Sequence, residues 1–315
     1  MSKIALARKG SRASCKGFIV VAALWLLAAL AALAAVASVY VSQSAGALAA
    51  LDSRTETEML ASAGIELAGY QLSLPATVRR PTHGGFSFNL AKSTVTVEYM
   101  SEAARINLNM ASRTVIAGLF AALGAQPEAA PQFADRVIGW RSTPRRGEQD
   151  EEVALYRAAG LNSLPRRAPF NSVDELWLVA GLPAALIERA MPFVTVYSGI
   201  AEVNVLDAAP EVIAALPGMT PLKLGAFLNA RQSLLPDSPE FVLSALGEGQ
   251  AGVTVLGSNA YRIRMHITLP DGRQSRPEGV LLILGAGETQ AYRVLAWRDE
   301  IDPGAGGPQN PAQKR

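Results

Sequence analysis

Residues 16–41 read KGFIVVAALWLLAALAALAAVASVYV, a single lysine followed by an uncharged, almost wholly apolar run. From Phe18 to Val41 that run is long enough to cross the roughly 30 Å bilayer core as a helix, which takes about 20 residues. Lys3, Arg8, Lys9, Arg12 and Lys16 stand before it, and the first acid is Asp52. This asymmetry predicts an N-terminus held on the cytoplasmic side and a remainder sent outward. A secretory signal has a shorter apolar region with its small-residue cleavage site after it. Here the small residue, Gly17, comes first, so a cut there leaves the helix on the mature chain. An uncut single-span anchor is the plainer alternative.

Beyond the span the helix is expected to continue. Leu60, Ala63, Leu67, Tyr70 and Leu74 recur at three- and four-residue steps and predict one apolar face, which Pro75 should end. After Pro81, Gly84-Gly85 and Phe86-Ser-Phe88, the stretch Thr94–Tyr99 alternates cleanly as a strand does. Tyr261–Leu269 alternates even more cleanly, Asp271-Gly272 predicts a turn, and Gly279–Leu284 and Tyr292–Trp297 predict two further strands. Between these β regions lies a mainly helical stretch, about 107–250. It contains a near-repeat: Arg105–Leu119 aligns with Glu202–Leu216 at an offset of 97, with Asn107 on Asn204 and Val115-Ile-Ala117 on Val212-Ile-Ala214. Each copy leads from a strand-like pair through a polar cap into an amphipathic helix. A second capped helix is expected near Ser172-Val-Asp-Glu175 in the first copy and near Asp237-Ser-Pro-Glu240 in the second.

Hydrophobic residues make up 50% of the chain, a value raised by the apolar span, and the formal net charge is +2. Removing the five leader cations leaves 24 basic against 27 acidic residues. An acidic mature chain lacks the clustered cations that draw nucleic acid, so no nucleic-acid partner is expected. The single cysteine, Cys15, lies in the leader, so the exported part has no disulfide.

A basic leader, then Gly17-Phe18, then a long apolar helix resembles the type IV prepilin signal. The resemblance implies cleavage after Gly17 by a prepilin peptidase and N-methylation of Phe18. Most pilins and pseudopilins carry Glu at the fifth mature position, where this chain has Ala22. A carboxylate without a partner in hydrocarbon costs about 2.5–3.5 kcal/mol, so its loss fits a subunit at a filament's end, with no neighbour to meet. Further along, Arg105–Asn109, the acidic Glu148–Tyr156, Phe170–Leu176, Met191–Val196, Val203-Asn-Val205 and Leu216-Pro-Gly218 resemble, in order, the K component of the type II secretion pseudopilins. That resemblance covers about residues 10–297.

It implies an α+β fold: a pilin-like long N-terminal helix packed on an antiparallel sheet, with a large mainly helical domain inserted between strands. The expected division is a leader at 1–17, the helix at 18–75, sheet segments at 76–106 and 251–301, the insert of two related modules at 107–250, and a disordered tail at 302–315. The implied function is non-catalytic: a minor pseudopilin that assembles with minor pseudopilins I and J at the tip of an inner-membrane-anchored pseudopilus and supports export of folded proteins.

The family resemblance also implies a calcium site in the acidic part of the insert. Calcium takes six to eight oxygens, and Glu148, Asp150, Glu151 and Glu152 are the candidate ligands. Upstream, however, the family's Asp-Trp-Ile-Asp appears as Gly139-Trp-Arg-Ser142, which deletes two oxygen ligands and adds a cation. The same acids also suit a solvated helix start. Leu216-Pro-Gly218 resembles a helix-hairpin-helix, which gives the alternative of a membrane-anchored, DNA-binding competence-type minor pilin. Only Lys223 and Arg231 are nearby cations, and Thr220 stands where a second glycine is usual. An anchored enzyme would need convergent ionisable groups. His83 in a Pro/Gly loop and His266 on the polar side of a strand supply no such set. Trp140 and Trp177 are expected in the core, and Arg145-Arg146 and Arg166-Arg167 on solvated loops.

Overall fold

In a computed structural model, the described residues are 16–74, 80–144, 150–161, 163–231, 233, 239–247, 250–285 and 287–298. The side chains of 16–19, 44–53 and 239 lie outside the description, as do the leader before Lys16, Pro75, Arg145-Arg146, Glu148 and the expected tail. Residues 1–58 and 59–315 form separate compact units.

The first unit is the N-terminal part of α1 (Lys16–Ser73). Its segment Val20–Gln43 is 24 residues of apolar helix, long enough to cross a membrane, with every side chain exposed, Ala22 among them. Arg54 and Glu58 pair at 3.0 Å across one exposed helical turn.

The second unit begins with the rest of α1. Leu60, Ala61, Ile65, Ala68 and Leu72 pack on one face of an antiparallel sheet, against Val95, Val97, Tyr261, Ile263, Met265, Ile267, Leu281 and Ile283. The sheet consists of β1 (His83–Leu90), β2 (Ser93–Ser101), β7 (Ala260–Thr268), β9 (Glu278–Ile283) and β10 (Tyr292–Arg298), in that order, with the short β8 (Gln274–Ser275) beside β7. Alternation explains the sidedness: odd positions of β7 face the helix, while Arg262, Arg264 and His266 face the other way. His83 is the first residue of β1 and not a loop residue.

The helical face differs from the one expected. Of Leu60, Ala63, Leu67, Tyr70 and Leu74, only Leu60 enters the core. Apolar residues lie on two sides of this helix, and periodicity alone does not say which side the sheet covers.

Between the neighbouring strands β2 and β7 the chain leaves the sheet for residues 102–259 and builds a second core. The first module runs β3 (Ile106–Asn107), α2 (Arg113–Ala122), α3 (Ala129–Arg141), α4 (Glu151–Ala158), α5 (Ala184–Ala190) and β4 (Val194–Thr195). The second runs β5 (Val203–Asn204), α6 (Pro210–Ala214), α7 (Pro221–Arg231), α8 (Pro239–Leu246) and β6 (Val253–Thr254). Each closes on a two-residue parallel ladder, β3 with β4 and β5 with β6. The second therefore ends past residue 250, within the stretch expected to be sheet.

The repeat is structural down to individual atoms. Asn107 and Asn204 are both buried, and their Oδ1 atoms accept from the backbone N–H two residues on, at 2.8 and 3.0 Å. Leu108 N–H donates to the Thr195 carbonyl as Val205 N–H does to that of Thr254. The Arg141 guanidinium donates to the carbonyls of Leu108 and Ala111, and that of Arg231 to the carbonyls of Val205 and Ala208, which are the equivalent positions. Module one contains α4 in addition, and the helix expected at Ser172–Glu175 is a short 3-10 turn, Val173–Leu178, capped by the Ser172 hydroxyl.

Candidate functional site

Three features of the described chain bear on function: the start of α1, the solvent face of its second half, and the polar junction between sheet and insert. Lys16, Gly17 and Phe18 form the first turn of α1. No acid lies in the segment that could cross a membrane.

On the second half of α1, Met59 is 67% exposed and Tyr70 62%, with Leu67 and Leu74 also exposed and Ala63 half-buried. Steps of four, four, three and four residues put these five on one stripe. Burying large apolar side chains is worth about 1.5–3 kcal/mol each, so a stripe left in water on one helix face is a ready lateral contact.

At the junction, Glu102 follows β2 in a single 3-10 turn whose N-cap is Ser101. Its side chain is 1% exposed. It accepts from Arg262 Nε at 2.7 Å, Arg262 Nη2 at 3.2 Å and the Thr195 hydroxyl, and lies 3.5 Å from Arg105. Burial pulls the Arg105 pKa down to about 10 against the opposing pull of Glu102. Arg262 also donates to Glu278, which takes Arg264 at 2.9 Å. Burial pushes the Glu278 carboxyl up, but the two arginines outweigh it and leave it below the usual range. Glu98, Arg264, Glu278 and Arg298 form a row of alternating charge across four strands. A cleft of about 330 Å³ opens beside this network, lined by His83, Gly84, Tyr99, Met100, Arg105 and Arg262 among others. His83 Nδ1 stands 2.7 Å from the buried carboxylate of Asp207, tying β1 to the second module.

Glu102 and Glu278 are engaged by arginines, so at their end the cleft offers a packed electrostatic joint and not a general base beside a nucleophile. The sequence missed this network because its members come from distant segments: Glu102, Thr195, Arg262 and Glu278.

The acidic stretch is dispersed. Asp150 caps α4, its Oδ1 accepting from Val153 N–H at 3.0 Å and from Arg167. Glu152 turns towards Arg136, 2.6 Å away, and Glu151 is exposed in the first turn of α4. Glu148 lies outside the described residues. Among the described residues no three acidic, histidine or cysteine side chains gather as a metal set.

Other expectations need correcting. Trp140 is buried against Tyr156 and Phe170, but Trp177 is 46% exposed. Arg166 pairs with Glu175, and Arg167 is mostly buried instead of solvated. At the Leu216-Pro-Gly218 hairpin, Arg231 is committed to the carbonyls of its own module, leaving Lys223 on an exposed turn. That is a poor footing for DNA phosphates.

The profile of the family described as type II secretion system (T2SS), protein K, matches residues 88–199. The chain is 32% identical over 117 residues to a type II secretion system protein K of Klebsiella pneumoniae. That match takes in 36% of this chain and 35% of the relative, so it spans about a third of either. The fold resembles a chain in the crystal structure of the GspK-GspI-GspJ complex from the enterotoxigenic Escherichia coli type 2 secretion system. The TM-score is 0.57 at 15% identity, over 80% of this chain and 99% of that one.

Proposed function

We propose that this chain, which belongs to the type II secretion system protein K family, is the minor pseudopilin at the tip of its secretion pseudopilus. There it would prime a filament that supports export of folded proteins. The observation that carries this reading is the 102–259 insert standing between two paired strands of the sheet, on a chain whose anchor has Ala22 in place of an acid. Two extra helical modules suit the end of a filament better than its crowded interior. An anchor without an intramembrane carboxylate needs no neighbour to neutralise it.

In this reading residues 1–17 are the leader, 18–75 the anchor and amphipathic helix, and 107–250 the bulk of the insert. Prepilin peptidase acts after Gly17 and Phe18 is N-methylated. The anchor crosses the inner membrane once, with the N-terminus cytoplasmic and the rest periplasmic. The expected result is a native polypeptide beginning at methylated Phe18 by mass spectrometry in peptidase-positive cells. An N-terminus still at Met1 in those cells would refute the processing step.

The exposed stripe of Met59, Leu67, Tyr70 and Leu74 is the lateral contact for minor pseudopilins I and J. Leu67→Asp combined with Tyr70→Asp places two carboxylates on that stripe without touching either core. The pair is expected to weaken co-purification of the full-length chain with I and J by at least about tenfold, or about 1.4 kcal/mol. Unchanged recovery of the ternary assembly would exclude this face.

A further inference from the structure

We infer that the guanidinium of Arg167 is the built-in cation of the insert's first module and closes the oxygen cage between α3 and α4 without calcium. Of the expected ligands that are described, Asp150 already accepts from Arg167, Glu152 faces Arg136 and Glu151 is exposed, so they do not gather around a metal. Arg167 Nη1 donates to the carbonyls of Gly139 at 2.6 Å and Ser142 at 2.9 Å. Its Nη2 donates to Asp150, and its backbone N–H to the carbonyl of Trp140 at 2.8 Å. Two carbonyls and a carboxylate around one positive centre are the hard oxygens that calcium prefers.

The placement is electrostatically apt. The carbonyls of Gly139 and Trp140 belong to the last turn of α3 and that of Ser142 to its C-cap, the negative end of the helix dipole, and Asp150 is the N-cap of α4. One guanidinium therefore joins the end of one helix to the start of the next.

Two further observations point the same way. Arg167 holds φ at +57°, a left-handed conformation unusual for a residue with a side chain. The backbone is bent so that both its N–H and its side chain reach the end of α3, which is the arrangement of a residue placed for capping. Gly139, where the family has Asp, is the second. A Cβ there would stand 2.5 Å from Glu152 Cγ, and Glu152 is held across that position by Arg136. A ligand side chain at 139 and the Arg136–Glu152 pair exclude each other. Arg141, in the same departure from the family's pattern, clamps the carbonyls of Leu108 and Ala111 to α3.

The test uses the full-length protein in detergent and does not depend on whether I and J bind. Thermal unfolding is followed with millimolar calcium chloride and with excess chelator, for the parent chain and for Arg167→Met. The parent is expected to unfold at the same temperature in both, while Arg167→Met unfolds roughly 5 °C lower with calcium and with chelator alike. Calorimetric titration of the parent with calcium alone keeps the idea testable if Arg167→Met does not fold. A calcium-dependent rise in the parent's midpoint, saturable calcium uptake by the parent, or an Arg167→Met midpoint equal to the parent's would each overturn the inference.

Discussion

Glu102→Ala is expected to lower folding stability by about 3–5 kcal/mol, because it leaves buried arginines without their counter-charge. The carboxylate is 1% exposed and takes two bonds from Arg262 and one from Thr195, with Arg105 at 3.5 Å. Arg262 would keep Glu278, but Arg105 has no other partner within ion-pair range among the described residues, and burial already pulls its pKa to about 10. The loss comes from stranded charge more than from missing contacts. A double-mutant cycle separates the two. If charge governs, Glu102→Leu with Arg262→Met should cost clearly less than the sum of its single changes, since a buried pair replaced by apolar groups is often neutral. Denaturant unfolding of the four proteins gives the answer. Additive losses would mean that the junction is held by packing alone.

The consequence is mechanical as well as energetic. Glu102 follows the last residue of β2, Thr195 closes the first module, and Arg262 and Glu278 belong to β7 and β9. The network fastens the insert to the sheet where the chain leaves it. With His83 on Asp207, each module has its own polar tie to the scaffold.

Much of this architecture is written locally. β7 declares itself because its odd positions are apolar and its even ones polar, and a sheet with one face under a helix demands that pattern. The repeat is equally legible, since Asn107 and Asn204 sit where a buried amide must hold a turn. β1 is harder to read in full. Its hairpin to β2 turns on Ala91 and Lys92, with φ of +50° and +67°, positions where Asn or Gly would have signalled the bend.

The buried face of α1 is illegible for a different reason. Leu60 and Leu67 are equally apolar, and only the sheet decides which of them is covered. Long cationic side chains are the least legible of all. Arg167 and Arg146 each end a Pro-Arg-Arg run, and nothing nearby announces that Arg167 folds back on α3. The paired clamps of Arg141 and Arg231 do not show in the aligned repeat because they are not at the offset of 97. The links after α2 and α6 match in length, but α2 has 10 residues against 5 in α6 and α3 has 13 against 11 in α7, so the register of the repeat slips along them.

Gly118→Leu should be the second severe change, costing more than about 3 kcal/mol, since overpacking by even a methylene or two typically costs 1–3. A Cβ at 118 would stand 2.1 Å from the Ala215 carbonyl oxygen, 2.8 Å from its carbon and 3.0 Å from its Cα. All three atoms are backbone, so nothing can rotate aside. Ala215 is the residue equivalent to Gly118 in the second module, and a contact between equivalent residues is what a local twofold arrangement of two copies produces. The smaller change Gly118→Ala sets two effects against each other. Helix propensity favours Ala by about 0.5–1 kcal/mol, while a backbone clash in a closed contact costs more, so a net loss of about 1–2 kcal/mol is expected. Gly225 in α7 supplies the control, because nothing lies within 4 Å of a Cβ built there. Gly225→Ala should therefore stabilise by about 0.5–1 kcal/mol from propensity alone. Opposite signs for the two alanines, measured by denaturant unfolding under one set of conditions, locate the close approach at α2 and α6. Stabilisation by both would mean that the modules do not meet backbone to backbone, and the twofold pairing would fail with it.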